Sequence, residues 1–429
     1  MIQIERALSL DDANALIERE LQRLNLTAVL QPFRHGDFCN YQCRLYFRET
    51  EALASIGFGK GTPEEANLGA KFEALEHYTS TLSHVDIDYH YRSFAELQAQ
   101  GCQIVASSMP LQILNESQYQ QQKLPWLEYT HYRDTNDRVF SPVASVNPMY
   151  LLSQKISGDD FPYDEIYMQG TNNGVAIGCD RNEALIHAVS ECIERDAFSF
   201  LLADNFLLKR RKALRVVDVT TMSAHNQALL QRITDELKLS ATVLFMPNIF
   251  GVPSFCTCIQ DQQFFAPLCG FGASLNAEYA LHRSIYECIE LLNFYGVHVA
   301  EESQDALRTF AKIPALLDCV HFDVQRLIAD DNFTAVDFAS LTSYTSSDLQ
   351  TYLEELLDRV FNVGFSVYEK AIYQSDGIYT AHALIPEAEN LVGIIKGHIP
   401  RFGKRLSAHL QGQTEAESTT VRQSYSANG

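Results

Sequence analysis

One spacing occurs three times in this chain. Ala66, Glu73 and Glu76 stand in ANLGAKFEALEHY, Ala184, Glu191 and Glu194 in ALIHAVSECIERD, and Ala280, Glu287 and Glu290 in ALHRSIYECIELL. Each reads Ala-x6-Glu-x2-Glu. Glycines precede every copy: Gly57, Gly59 and Gly61, then Gly174 and Gly178, then Gly270 and Gly272. The pattern predicts a glycine loop, a helix start and two carboxylates, three times over. On an α-helix, positions i and i+3 share a face, so the two glutamates of each pair point the same way. The positions one and two turns back on that face are small, among them Ala66, Gly69, Ala70, Ala184, Ala188, Ala280 and Ser284. Small residues admit a close neighbour. The flanks carry Phe72, Leu75, Leu185, Val189, Ile193, Leu281, Ile285 and Ile289, an apolar stripe that packs a helix into a core.

Six carboxylates bordering a cleft need cations, because an unpaired buried charge costs several kcal/mol, on the order of 3 to 5. All-oxygen ligand sets suit hard metals, and Mg2+ binds through a few carboxylates together with nucleotide phosphates. Lys60, Arg195 and Arg283 lie beside these motifs as phosphate partners. The residues therefore point to a Mg-nucleotide site. The run Gly57-Phe-Gly-Lys-Gly-Thr62 lacks the GxxxxGK[ST] spacing of a P-loop. A carboxylate-bridged di-iron centre is a weaker reading, since the motif helices lack its usual Glu-x-x-His pairs and Glu73 to His77 is one residue too long.

A chain of 429 residues with 46% hydrophobic content can bury a large core. Because the motifs span residues 57 to 290, we expect one catalytic domain over 1–410, with core motifs in 50–300, a C-terminal part in 300–410 and a disordered tail at 411–429. The formal charge of −21 speaks against a nucleic-acid or anionic-membrane surface. No signal segment or run of about 18 apolar residues is read, and a cytosolic location is expected. The ten cysteines are scattered, without a disulfide framework or CxxC site. Cys256 and Cys258 read as strand side chains, free and buried.

Along the chain, Ser9 starts an amphipathic helix that ends near Asn25, residues 41–49 and 52–58 read as strands, and Pro63 opens the first motif helix. A short helix at 93–99 and a strand-like VFSPVASV follow. Residues 158–165 read as a surface loop, and Gly170 to Gly174 as a turn before the second motif helix, which runs on through AFSFLL. Lys209, Arg210, Arg211 and Lys212 read as an exposed helix end. A helix at 221–238, strands at 241–247, 252–259 and 263–269, a helix at 347–361 and strands at 364–372 and 377–385 complete the pattern. The segment 393–406 reads as a loop whose Arg401, Lys404 and Arg405 reach toward an anionic site. His77, His187 and His282 lie near the motif helices without identifying a general base, so the catalytic residues are unknown.

Taken together, GFGKG…EALEHY, NNGVAIG…EAL…SECIERDAF and GFGAS…ALHRSIYECIE resemble the YcaO family over residues 50 to 405. The resemblance implies a mixed α/β (α+β) fold with mixed sheets, in which the three motif helices gather around ATP and Mg2+. Carried over by position, it implies metal ligation by Glu73, Glu76, Glu191, Glu194 and Glu287, and nucleotide contacts by these together with Glu183, Arg195 and Arg283. Gly69, Ala176, Cys179 and Glu290 depart from residues common in the family. The implied activity is ATP-dependent cyclodehydration, in which backbone amides of a ribosomally made precursor peptide are activated by phosphorylation and Cys, Ser or Thr become thiazoline or oxazoline. Thioamide or amidine formation and a non-catalytic nucleotide-binding scaffold are the alternatives. The expected partners are the precursor peptide and a separate, ThiF-like leader-binding protein, with a homodimer left open.

Overall fold

The computed structural model of the protein describes residues 5–81, 87–105, 111–153, 155–166, 170–260, 266–294 and 297–412. The tail expected beyond 411 lies, from residue 413 onward, outside the described residues, as do residues 263–265 of one expected strand. By their described residues the elements fall into two units. Unit 1 is Met1–Pro32, Tyr41–Cys192 and Ser346–Pro386, and unit 2 is Phe33–Asn40, Ile193–Thr345 and Glu387–Gly429. The architecture is mixed α+β, as expected.

Unit 1 opens with the helix Leu10–Arg23, and the Ser9 hydroxyl accepts from the Asp12 amide at its N-terminus, at 3.2 Å. Ile17 and Leu21 on its buried face pack with Leu45, Leu75 and Tyr78. A three-stranded sheet follows in the order Leu26–His35, Phe38–Phe47, Leu53–Gly59, with the hairpin end Phe33–Asn40 counted to unit 2. The sequence reading missed its first strand. Pro32 interrupts the strand signal there, and an edge strand tolerates proline because its outward N–H has no partner to lose. The larger sheet runs 103–104, 138–142, 123–131, 368–374, 379–384, 175–178, with 90–93 paired beside 123–131. Trp126, Tyr129, Tyr150 and Phe161 fill the core against it. VFSPVASV is half strand, ending at Pro142, and half a helical turn, Val143–Val146.

The first motif helix is Pro63–Thr79, with proline in its first turn and a capping box between Thr62 and Glu65. The second is Arg181–Leu202, whose residues to Cys192 belong to unit 1 and from Ile193 to unit 2. The third, Ala277–Phe294, lies in unit 2.

Unit 2 is built on a five-stranded sheet, 268–273, 254–259, 241–245, 214–217, 333–336, in which the last pair is parallel and the others antiparallel. The strand Ser254–Ile259 alternates cleanly. Phe255 and Ile259 pack with Ala280, Leu281 and Ile285 of the third motif helix, while Cys256 and Cys258 pack with Phe198, Phe271, Phe310 and Phe322. The helix expected at 221–238 is Ala224–Arg232 followed by a wider π turn, Ile233–Leu237, which Lys238 ends with φ +58°. Lys209, Arg210 and Lys212 pair with Asp318, Asp204 and Asp331 at the surface.

The glycines overturn one expectation. Gly57, Gly59, Gly178, Gly270 and Gly272 lie in strands (Leu53–Gly59, Val175–Gly178, Leu268–Ala273), not in loops. A Cβ at Gly57 or Gly59 would collide with the backbone of Ala74 or Ala66, and one at Gly270 or Gly272 with that of Ser284, Cys288 or Ala280. What the small residues of the motif helices admit is therefore the preceding strand, backbone against backbone. Among the described residues, no helix is long and apolar enough to cross a membrane.

Candidate functional site

The first motif helix lies on the strand before it, and its two glutamates fall within reach of strand amides. In unit 1, the Phe58 N–H donates to Glu73 Oε2 at 3.0 Å and the Ile177 N–H to Glu76 Oε2 at 3.0 Å. The Gly174 N–H donates to Glu191 Oε2 at 3.2 Å. Gly174 is required at that point: its φ is +86°, and an added Cβ would meet the Ala383 carbonyl and the Cys192 sulfur. Burial pushes the Glu76 carboxyl well above its ordinary 4.5, and the neighbouring Glu73 and Glu191 charges push it further. The Ile177 amide and Lys60 oppose this without cancelling it. Glu76 thus feels the charges of Glu73 and Glu191, although among the described residues these carboxylates do not close to within 4.8 Å of one another; all-oxygen donors of this kind are the type that Mg2+ takes.

Glu183 is engaged differently. It accepts from Arg6 Nη1 at 3.0 Å, from the Ala7 amide at 3.2 Å and from the Cys179 amide at 3.1 Å, and its own N–H donates to Asp180 Oδ1 at 2.8 Å. Both of its oxygens thus hold the chain segment before the first helix and the start of the second motif helix.

In unit 2, Glu194 is buried and meets Arg195 Nη1 at 3.3 Å, while the Arg195 guanidinium lies 5.2 Å from the centre of the Phe271 ring. Arg283, Glu287 and Glu290 are half-buried on the third motif helix, Arg283 one turn before Glu287. The start of this helix is fixed by Asn276, whose side-chain oxygen accepts from Tyr279 N–H at 2.9 Å. Ser284 is tied to Thr257 on the strand below it at 2.8 Å.

Sequence reading did not find the network that follows Arg195. Asp196 is 1% exposed and accepts from Arg405 and from the Glu389 amide at 2.9 Å. Burial raises its carboxyl above the ordinary range, and Arg405 works against that shift. Glu389 in turn accepts from Gly403 and Leu406 amides at 2.7 and 2.9 Å. Arg405, expected to reach an anionic site from a loop, instead pairs with Asp196 and stacks on Phe200, in or beside the helix Lys404–Gln411. Burial also disfavours the charge of Arg401.

The histidines near the motifs are occupied by structure. His77 Nδ1 meets the Ile56 carbonyl at 2.6 Å, His187 Nε2 meets Arg6, and His282 stacks on His225 with ring centres 5.5 Å apart. A histidine that sequence reading passed over is more deeply placed. His382 is 1% exposed, meets the Tyr129 hydroxyl through Nδ1 at 2.9 Å and the Asn173 carbonyl through Nε2 at 3.1 Å, and burial lowers its pKa from 6.5 to about 4. A neutral ring donating from Nε2 and accepting at Nδ1 satisfies both. It thereby fixes the loop that presents the Gly174 amide to Glu191.

The family model described as YcaO cyclodehydratase, binding ATP and Mg2+, matches residues 58–389. No curated protein gives a significant match to the sequence. Among solved structures, the YcaO protein of Methanopyrus kandleri bound with AMPPCP and Mg2+ is similar, with TM-score 0.65 and 18% identity over 94% of this chain and 97% of that one. A heterocyclase in complex with substrate and cofactor gives 0.64 and 16%, over 96% of this chain and 56% of that one. The Escherichia coli microcin synthetase McbBCD complex gives 0.51 and 13%, over 84% and 88%. At these identities the likeness is one of fold. With the family model spanning most of its length, the chain belongs to the YcaO family, whose members bind ATP and Mg2+.

Proposed function

We propose that the protein is an ATP-dependent cyclodehydratase acting on a ribosomally made precursor peptide, forming thiazoline or oxazoline from Cys, Ser or Thr. The family model supports an enzyme of this class, and the observation that carries the site is the set of backbone amides that hold Glu73, Glu76 and Glu191, with the charges of Glu73 and Glu191 raising the Glu76 carboxyl. We assign Mg2+ to Glu73, Glu76, Glu191, Glu194 and Glu287, and the phosphates to Arg195 and Arg283. Bound Mg-ATP supplies the phosphoryl group that makes the amide oxygen a leaving group.

The chain's own part is positioning and charge neutralisation. The amides of Phe58, Ile177 and Gly174 hold one oxygen of Glu73, Glu76 and Glu191 each, so their other oxygens are set in place before the cation arrives. Arg195 keeps its cation beside Glu194 through the Phe271 ring. Glu183, first expected at the nucleotide, is assigned to holding Arg6 and the helix start. The peptide and a separate leader-binding, ThiF-like protein are the proposed partners, and the cytoplasm the proposed location. The microcin synthetase, itself a complex, is consistent with partner proteins.

The test is mass spectrometry of a Cys-, Ser- or Thr-rich peptide encoded beside this gene, after incubation with the protein, its neighbouring partner and Mg-ATP. Loss of about 18 Da per modified residue, the mass of one water, is the expected result. A gain of about 16 Da would replace azoline by thioamide chemistry, and an unchanged peptide with tight ATP binding would favour the scaffold reading. Glu191→Gln is expected to abolish Mg-dependent nucleotide binding, read by calorimetry. Wild-type affinity in that variant would remove the assignment.

A further inference from the structure

Three cysteines in unit 2 meet at one point on the sheet, and none of the carboxylates assigned above is among them. Cys256 and Cys258 are on the strand Ser254–Ile259 and Cys269 on the adjacent Leu268–Ala273, where it is the register partner of Cys258. Cys256 Sγ lies 3.5 Å from Cys258 Sγ, and Cys258 Sγ 3.5 Å from Cys269 Sγ. All three sulfurs fall within 4.8 Å of one another.

Strand register alone does not produce this. Residues i and i+2 of a strand are about 6.6 Å apart, so two thiols on them meet only when both side chains lean toward each other along the strand. Here they do, and the cross-strand thiol turns to the same point. For comparison, the edge of a tetrahedron of thiolates around a metal with 2.3 Å bonds is about 3.8 Å. The surroundings are dry: Leu244 comes from the neighbouring strand and Met246 from just past its end, Phe271 from beside Cys269, and Cys256 and Cys258 are at most 2% exposed. Cys269 is partly exposed and gives the cluster its one side open to solvent. Among the described residues no further Cys, His, Asp or Glu joins the three.

We propose that Cys256, Cys258 and Cys269 form a binding site for a soft, thiophilic d10 cation, of which three-coordinate Cu(I) is the form the ligand count favours. Thiolates select Cu(I) and Zn2+ over hard cations, and Zn2+ takes a fourth donor that the described residues do not offer. Electrostatics agrees with the geometry. Hydrogen bonds from the Cys256 and Cys258 thiols hold the Cys269 sulfur toward its thiolate form, whereas burial keeps the other two protonated until a cation displaces their protons. On binding, the thiols release protons to solvent and three sulfur–metal bonds form, with no change of oxidation state. The cation ties two adjacent strands of the sheet on which the third motif helix rests.

The experiment uses the full chain, reduced and anaerobic, titrated with Cu(I) as its acetonitrile complex and separately with Zn2+, each against a competing chelator. Expected is one equivalent of Cu(I), an ultraviolet thiolate-to-metal charge-transfer band, and a rise in the thermal midpoint. Cys258→Ser and Cys269→Ser should lose that equivalent, while Cys102→Ser and Cys319→Ser, outside the cluster, keep it. One equivalent of Zn2+ lost in the same variants supports the site and assigns the divalent ion. Uptake of neither cation by the wild-type protein overturns the proposal without reference to any variant's folding. Uptake undiminished in Cys258→Ser and Cys269→Ser overturns it as well.

Discussion

Glu76 has a measurable consequence before any ligand is added. Its folded carboxyl is raised above 4.5, so between 4.5 and that raised value the folded state holds a proton the unfolded chain has released. Stability then falls as pH rises through this window, with a limiting slope of about 1.4 kcal/mol per pH unit for one proton. Urea denaturation of the metal-free protein should show this decline, Glu76→Gln should remove it and gain stability at pH 8, and Mg2+ should diminish it in the wild type. His382 has the opposite sign. With its pKa lowered to about 4, the unfolded chain binds the extra proton between 6.5 and 4, and stability is lost as pH falls through that range. In the Glu76→Gln background the acid loss should therefore stand alone, at most about 3 kcal/mol, and His382→Gln should lack it. Of these two residues only Glu76 was legible in the sequence. It stands in a repeated spacing, whereas His382 is a lone histidine in a strand, and its partners Tyr129 and Asn173 are more than 200 positions away.

The motif helices were legible because periodicity and caps are local signals, and Thr62, Pro63 and Glu65 mark a start that any reader of sequence can find. Their glycines were misread for an equally physical reason. Glycine signals a permissive backbone or a missing side chain, and only tertiary contact says which. The strand–helix packing predicts that Gly57→Ala and Gly272→Ala each destabilise the protein by about 1 to 3 kcal/mol or more, since backbone must move to admit a methyl. Gly69→Ala should do the reverse. Its added Cβ lies 3.8 Å from the Gly59 Cα, ordinary contact, and alanine in a helix interior gains about 0.5 to 1 kcal/mol over glycine. Differential scanning calorimetry of the three variants decides it. A second prediction at this scale concerns Asp196. Arg405→Met leaves that carboxylate buried without its cation and should cost about 3 to 5 kcal/mol, and adding Asp196→Asn should restore part of the loss.

For the whole chain, the charge of −21 acts against compactness wherever carboxylates crowd. The thermal midpoint should rise between about 10 and 200 mM NaCl as screening shortens to about 8 Å, and Mg2+ should act at far lower concentration than monovalent salt if the carboxylates of the motif helices take it specifically. Fold class and family were readable because three motifs in fixed order, spanning residues 57 to 290, are a global signal. The first strand and the Asp196 to Arg405 network were not, being made of residues that are ordinary where they stand and paired only through folding. The amide tethers on Glu73, Glu76 and Glu191 carry a last implication, for kinetics. Carboxylates already clamped at one oxygen need not search for a rotamer when a cation arrives, so loading should be limited by how fast the ion sheds its own water. Mg2+ dehydrates reluctantly, and an ion of similar charge with a looser hydration shell, such as Mn2+, should enter the same clamp faster.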